Sequence, residues 1–149
     1  MTPALLYNEA MPYFRVYTPV QVRFCDIDSM RHVNNATYLS YLEMARLEYL
    51  VGLGIWDGKD FNSLGLIVAD IHIAYRAPIM LTDAVRVGIR TSHIGNKSLR
   101  FDYVIEEPET GKVFATAESV LVAFDYTRQA SIPVPAEWRA KISAFDGLS

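Results

Sequence analysis

Two carboxylates and two carboxamides fall within ten residues in the first quarter of the chain. Residues 26–35 read Asp-Ile-Asp-Ser-Met-Arg-His-Val-Asn-Asn. Hydrolysis at a carbonyl carbon needs water or a carboxylate to attack it, and donors for the oxyanion that develops. Asp28 can supply the carboxylate, and backbone N–H groups around 34–36 can supply the donors. The residues alone leave a second interpretation open, in which Asp28 only ends a strand and helps to cap a helix.

A strand and a long helix are predicted on either side of this stretch. Apolar and polar residues alternate from 20 to 25, within a first strand predicted over about 14–26. Asn34 and Asn35 are favourable N-cap residues, and neither proline nor glycine occurs from 36 to 51. The predicted helix is apolar on nearly every side, which is typical of a buried helix. Asp26 and Asp28 would then precede the unpaired N–H groups and the positive end of its dipole.

The rest of the chain is predicted to be mainly strands. In the first of these, alternation places Ile67, Ala69, Ile71, Ile73 and Tyr75 on one face. A Gly-Asn pair at 95–96 predicts a hairpin. The tail, 133–149, is predicted to end in a short helix, and residues 1–12 are interpreted as an irregular arm. The strands are predicted at 64–77, 84–92, 98–106 and 112–126.

This order of elements predicts an α+β fold with one domain spanning 1–149. A doubly wound fold is excluded, because it would alternate strands and helices. An antiparallel sheet of about five strands would instead curl around one long central helix. Such a small sheet leaves an open edge and an uncovered face, which favours a dimer.

Composition limits the partners and the compartment. The chain has 149 residues, of which 51% are hydrophobic, so a single core is expected. A net charge of −3 offers no basic surface for nucleic acid. Cys25 is the only cysteine, which favours a reducing compartment, and its side chain is expected to pack rather than react. No signal peptide or membrane span is predicted, so we expect a cytoplasmic protein with no membrane partner.

The motif in this stretch resembles that of a known enzyme family. Asp26-x-Asp28, then His32-Val33-Asn34-Asn35, and then Tyr38, Glu43 and Arg46 are similar to the hotdog-fold acyl-CoA thioesterases of the 4-hydroxybenzoyl-CoA thioesterase-like branch. Many members of this branch have glycine where Arg31 stands. The resemblance implies a homodimer or homotetramer with active sites at the dimer interface. Three more segments fit the family: Tyr75-Arg76-Ala77-Pro78, Asn96-Lys97-Ser98 and Pro133-x-Pro135-x-x-Trp138.

The resemblance also implies roles for individual residues. Asp28 would act as nucleophile or as general base, and the sequence does not separate the two. The N–H of Asn35 would bind the oxyanion, while His32 and the Asn35 side chain would orient the carboxylate or the substrate. Catalysis would need no cofactor and no metal, since coenzyme A enters as the thioester substrate. The acyl group would be fatty or aromatic.

Several side chains are candidates for substrate contacts, and each has an ordinary structural alternative. Tyr38 could contact substrate or only pack. Glu43 could line the site or form an i,i+3 ion pair with Arg46. Three basic residues could bind the phosphates of coenzyme A or simply be solvated: Lys97, Arg100 and Arg128.

Other functions were weighed against thioester hydrolysis. Asp26, Asp28 and His32 would make a weak metal site, because no fourth ligand is near in sequence. There is no Gly-x-Ser-x-Gly motif of a serine hydrolase. The remaining alternatives are hydrolysis of acyl groups on acyl carrier protein, and a non-catalytic dimer that binds acyl thioesters.

Overall fold

A computed structural model describes residues 14–149, and the predicted arm, 1–12, lies outside them. The strands form one antiparallel sheet in the order β1-β3-β4-β5-β2, with a short β6 paired to β5. The predicted architecture, an antiparallel sheet of about five strands around one helix, is confirmed. The elements are β1 Val16–Val20, α1 Thr37–Gly52, β2 Leu66–Tyr75, β3 Val85–Ile94, β4 Ser98–Glu106, β5 Val113–Asp125, β6 Ala130–Ser131 and α2 Ala136–Asp146.

The core lies between α1 and the inner face of the sheet. Strands β3 and β4 alternate as predicted, and their inward apolar residues are all buried, because the pleat sends every second side chain to the same face. The predicted tail helix is α2, whose Ile142 is buried in the same core. The inward residues of the two strands are Val85, Val87 and Ile89 in β3, and Leu99, Phe101, Tyr103 and Ile105 in β4.

The first strand is shorter than predicted. It ends at Val20, and Phe24–Asp26 forms a single 3₁₀ turn. The carboxylate of Asp26 accepts hydrogen bonds from the backbone N–H and the guanidinium of Arg23, which favours the turn over a continued strand. Cys25 lies in this turn and is exposed, so the prediction that it packs was wrong.

A bulge in β2 changes which residues face the core. The pairing with β5 shifts between Val68 and Asp70. One extra residue reverses the alternation, so Val68 lies opposite the buried Leu121, whereas Ile67 lies opposite the outward-facing Val122. The predicted face was therefore right from Ile71 to Tyr75 and wrong for Ile67.

One side of α1 remains uncovered within the single chain. Leu39, Met44 and Val51 are between 42% and 48% exposed, and β2, which lies across a groove from Leu39, is one of the two edge strands of the sheet. The prediction of a helix buried on all sides therefore does not hold for one chain alone. Within residues 14–149 no helix is long and apolar enough to cross a membrane.

Candidate active site

The loop before α1 is held in place by backbone hydrogen bonds on both sides. The N–H of Asn34 donates to the carbonyl of Asp26 at 2.8 Å, and the N–H of Val33 donates to the carbonyl of Ile79 at 2.8 Å. Between these anchors the chain makes a tight turn, in which the N–H of Arg31 donates to the carbonyl of Asp28 at 3.0 Å. Arg31 has a φ of +70°, a conformation that glycine adopts more easily than arginine. The turn is therefore formed with arginine at a position whose backbone conformation favours glycine.

The carboxylate of Asp28 is oriented by two hydrogen bonds. Its Oδ1 accepts from the N–H of Met30 at 2.8 Å, and its Oδ2 accepts from Nδ2 of Asn34 at 3.0 Å. The side chain is half-buried. Each oxygen keeps a lone pair beyond these bonds, so the carboxylate can still accept a proton or attack a carbonyl carbon.

Asn34 connects this carboxylate to the start of the helix. Its Nδ2 bonds Asp28, while its Oδ1 accepts from the N–H of Ala36 at 2.9 Å. The helix begins at Thr37 with Ala36 as N-cap, so the prediction of Asn34 or Asn35 as the cap was one to two residues early. Within the part of the chain that the structure describes, the N–H of Asn35 has no hydrogen-bond partner. The side chain of Asn34 thus bonds the Asp28 carboxylate at one end and the Ala36 N–H at the other, and the free N–H of Asn35 lies between Asn34 and Ala36 in the chain.

The side chain of His32 contacts the backbone of its neighbour rather than the Asp28 carboxylate. Its Nδ1 lies 3.3 Å from the carbonyl of Val33. A carbonyl can only accept, so in this contact the proton is on Nδ1 and Nε2 is left as an acceptor. The orienting bond that we expected His32 or Asn35 to make with Asp28 is made by Asn34 instead.

A cavity of about 390 Å³ lies against this loop. Tyr38 is buried at its wall, and its ring packs edge to face with Tyr75 at a centroid distance of 4.9 Å. The hydroxyl of Tyr75 donates to the carbonyl of Asn35 at 2.8 Å. A largely apolar groove of about 610 Å³ between α1 and β2 shares Asn35 and Tyr75 with the cavity. The residues lining the cavity are His32, Val33, Asn35, Tyr38, Tyr75, Arg76, Ala77 and Pro78.

Comparison with known proteins identifies the family. Residues 22–142 match the model of the thioesterase-like superfamily. The chain belongs to this superfamily. It is 30% identical to the long-chain acyl-CoA thioesterase FadM of Escherichia coli over 84% of this chain and 95% of that protein. The predicted family, the hotdog-fold acyl-CoA thioesterases, is thereby confirmed.

Solved structures of thioesterases share the fold. A Thermus thermophilus thioesterase complexed with coenzyme A and zinc is 36% identical and superposes with a TM-score of 0.80, covering 92% of this chain and 98% of that one. The probable thioesterase YbaW of Escherichia coli is 31% identical, with a TM-score of 0.71 over 85% of this chain and 96% of its own. Among residues 14–149 of this thioesterase, no three His, Cys, Asp or Glu side chains are grouped so that they could hold a metal ion.

Asp26 has a structural environment in this thioesterase. It is only 3% exposed, and its Oδ2 accepts from the hydroxyl of Tyr41 at 2.8 Å and from the N–H of Arg23 at 2.9 Å. Burial alone would raise the pKa of this carboxyl, but the hydrogen bonds from Arg23 and Tyr41 outweigh it and lower the pKa below its usual value. The two aspartates of the motif therefore lie in different surroundings.

Glu43 and Arg46 do not form the ion pair that their spacing allows. Arg46 turns into the core, where it is 7% exposed and its Nη1 donates to the hydroxyl of Tyr103 at 3.3 Å. Glu43 is exposed on the uncovered side of α1. Within one chain, Glu43 therefore neither pairs with Arg46 nor lines the cavity beside Asn35.

The three candidate phosphate contacts lie away from the cavity: Lys97 and Arg128 at the far end of the sheet, and Arg100 midway along it, where it pairs with Val120 opposite Asp70. Tyr75 pairs with Ala115 beside the cavity, whereas the opposite end of β2 pairs with Ala123. The carbonyl of Lys97 accepts from the N–H of Ala123, so Lys97 lies at that opposite end. Ten residues of β2 separate the two ends by about 30 Å. One chain therefore does not bring these basic residues, Lys97, Arg100 and Arg128, to Asp28.

Sequence reasoning assigned no role in the site to the side chains of Asn34, Tyr75 or Arg76, although it named Asn34 as a candidate helix cap. All three stand in segments that resemble the family, and this resemblance was the sequence evidence that could have pointed to them. The contact of Asn34 with Asp28 and that of Tyr75 with Asn35 depend on how the loop folds against β2, which spacing along the chain does not show.

Proposed function

We propose that this thioesterase hydrolyses acyl-CoA, with Asp28 as the nucleophile or general base and the N–H of Asn35 as the oxyanion donor. One observation carries the proposal: Asn34 holds the Asp28 carboxylate on one side and the Ala36 N–H on the other, next to the unpaired Asn35 N–H. A preorganised donor of this kind is worth about 3–4 kcal/mol of transition-state stabilisation in a water-poor site.

The same arrangement bears on the alternative of a non-catalytic binder. Binding of an acyl thioester needs an apolar cavity but no oriented carboxylate. The carboxylate of Asp28 is oriented by bonds to both of its oxygens and keeps lone pairs for a reaction, which favours turnover over binding alone. The acyl group is fatty or aromatic, and hydrolysis of acyl groups on acyl carrier protein is the second candidate. FadM of Escherichia coli, which is named for long-chain acyl-CoA, favours a fatty acyl group.

Around the reaction, the residues of the cavity would have distinct roles. Tyr38 would contact the acyl or thiol portion, and His32 would orient the substrate by accepting a hydrogen bond at Nε2. Glu43 would reach the site only if a second copy covers its face of α1. The protein would act as one domain over 1–149, as a homodimer or homotetramer. We place it in the cytoplasm, since its single cysteine cannot form an intrachain disulfide.

A thiol-release assay with a panel of acyl-CoA substrates tests the proposal. Asp28→Asn should keep the fold, because the amide preserves the shape of the side chain, and should lower turnover at least about a hundredfold. Acyl carrier protein thioesters assayed in parallel separate the two candidate substrates. Near-normal thiol release by Asp28→Asn would overturn the catalytic assignment, and no release by the parent from any thioester would favour the non-catalytic binder.

A further inference from the structure

Tyr75 is a half-exposed side chain with two specific contacts to the start of α1. Its hydroxyl donates to the carbonyl of Asn35 at 2.8 Å, and its ring packs against the buried Tyr38. At 50% exposure it is not needed to fill the core. Filling of the core therefore does not explain this contact. Tyr75 lies at the end of an edge strand, yet its hydroxyl bonds a residue 40 positions earlier in the chain.

The contact acts on one peptide group. The peptide that joins Asn35 to Ala36 has its carbonyl bonded by Tyr75 and its N–H bonded by Oδ1 of Asn34. Because a peptide unit is planar and rigid, bonds at both of its ends fix its orientation. The preceding peptide, between Asn34 and Asn35, carries the Asn35 N–H. Its own carbonyl accepts from the N–H of Thr37 at 2.9 Å, and the torsions of Asn35 join it to the peptide that Tyr75 bonds.

The two bonds also connect the oxyanion donor to the carboxylate. Asn34 holds Asp28 at 3.0 Å with its other end. Asn34 in the loop therefore bonds one end of the Asn35–Ala36 peptide, and Tyr75 in β2 bonds the other end. Without the β2 support, the Asn35–Ala36 carbonyl would lose its partner and the peptide could rotate. The Asn35 N–H would then be oriented only through the carbonyl of its own peptide, that of Asn34, which accepts from the N–H of Thr37 at 2.9 Å.

We infer that Tyr75 is a positioning residue for the oxyanion donor, acting through the Asn35 carbonyl. The inference rests on the proposed function, in which the Asn35 N–H binds the oxyanion. It assigns to β2 a part in catalysis, since the strand that borders the cavity also orients the donor at the helix start.

The test is Tyr75→Phe, which removes the hydroxyl and keeps the ring against Tyr38. We expect kcat for acyl-CoA to fall about tenfold or more with KM within about twofold, because only an interaction of the transition state is weakened. The matched control is Tyr126→Phe, a tyrosine 41% exposed just beyond β5, which should behave as the parent does. Both variants are assayed at a temperature where circular dichroism shows them folded.

A second measurement follows the donor itself. Backbone amide NMR of the folded variants should show a changed chemical shift and faster hydrogen exchange at Asn35 in Tyr75→Phe, with no change in Tyr126→Phe. The pH dependence of kcat should keep its shape, because the bonds of Asp28 are intact. A raised KM with unchanged kcat would mean that Tyr75 binds substrate instead, and parent-like kinetics would overturn the inference outright.

The outcome for Asp28→Asn separates the two proposals. If Asp28→Asn is inactive and Tyr75→Phe matches the parent, only the role of Tyr75 is wrong. If Asp28→Asn stays active, the proposed function itself has failed, whatever Tyr75→Phe does.

Discussion

Asp26 and Asp28 are two residues apart, yet they have different hydrogen-bond partners and different burial. The carboxylate of Asp26 is enclosed and bonded by Arg23 and Tyr41, so its interactions hold the 3₁₀ turn to α1. That of Asp28 is half-exposed and bonded by its own loop. The first environment is typical of a structural carboxylate, whereas the second leaves a carboxylate accessible to substrate.

For the first of these residues we predict that Asp26→Asn lowers the stability of the fold and leaves turnover unchanged. The amide presents one acceptor to several donors, so a buried donor is left unpaired at a cost of about 1–3 kcal/mol. The folded-state pKa of Asp26 is below the unfolded value, so its stabilisation is present above the unfolded pKa and is lost as pH falls through the folded pKa. Thermal unfolding from pH 7 down to acid pH should therefore show the difference between parent and variant shrinking below about pH 4.

Two results would contradict this interpretation. One is an Asp26→Asn variant as stable as the parent at pH 7. The other is a loss of turnover comparable to that of Asp28→Asn in a protein that remains folded, which would move the catalytic assignment to Asp26.

At the scale of elements, α1 and β2 share an apolar surface that the single chain leaves open. Leu39, Met44 and Val51 lie on the exposed side of the helix, and Val68 faces the same side from the edge strand. An open edge strand offers unpaired backbone groups to a second strand. The surface is therefore suited to a second copy of the chain.

We predict that Met44→Glu weakens self-association by at least about tenfold, because a carboxylate would be buried against apolar side chains in the dimer. Sedimentation of serial dilutions measures the dissociation constant. Leu81→Glu is the matched control, since Leu81 is 44% exposed against 48% for Met44 but lies in the loop before β3. A parent that is monomeric and fully active at every dilution would contradict the burial of α1 by association.

For the whole molecule, pairing of two copies could bring together Asp28 and the basic residues that lie away from it within one chain. If the β2 strands of two copies pair antiparallel about a twofold axis, the Leu66 end of one lies beside the Tyr75 end of the other. Lys97, Arg100 and Arg128 of one copy would then approach the site of its partner. The net charge of −3 means that coenzyme A phosphates must be bound by such local cations.

We predict that alanine at all three basic positions raises KM for acyl-CoA about three- to tenfold and weakens its salt dependence, with kcat largely kept. Each exposed contact contributes only about 0–1 kcal/mol. A short thioester without the nucleotide is the control substrate and should be hydrolysed as by the parent.

A hybrid dimer tests whether these contacts act across the interface. One copy carries Asp28→Asn, the other carries the three alanines, and different affinity tags allow the hybrid to be isolated. The hybrid keeps one complete site, so we expect half the parental turnover at the parental KM. A hybrid that retains the raised KM would show that the cations do not serve the partner's site.

Local patterns in the sequence were sufficient to predict most of the elements and the reactive stretch. Alternation predicted the inward faces of β3 and β4, the unbroken run from 36 to 51 predicted α1, and the motif drew attention to Asp28. These features follow from interactions between near neighbours, with periods of 2 and 3.6 residues, and so are visible in a linear sequence.

Only the tertiary structure decided the remaining features. The β2 bulge turned Ile67 outward, because the register is set by pairing with β5. Tyr75 reached Asn35 across 40 residues, and Lys97 fell at the far end of the sheet, because strand order sets these distances. Even Asn34, six residues from Asp28, bonds it only because Asp26 and Ile79 anchor the loop between them. Contacts of this kind depend on the path of the chain, which local periodicity does not contain.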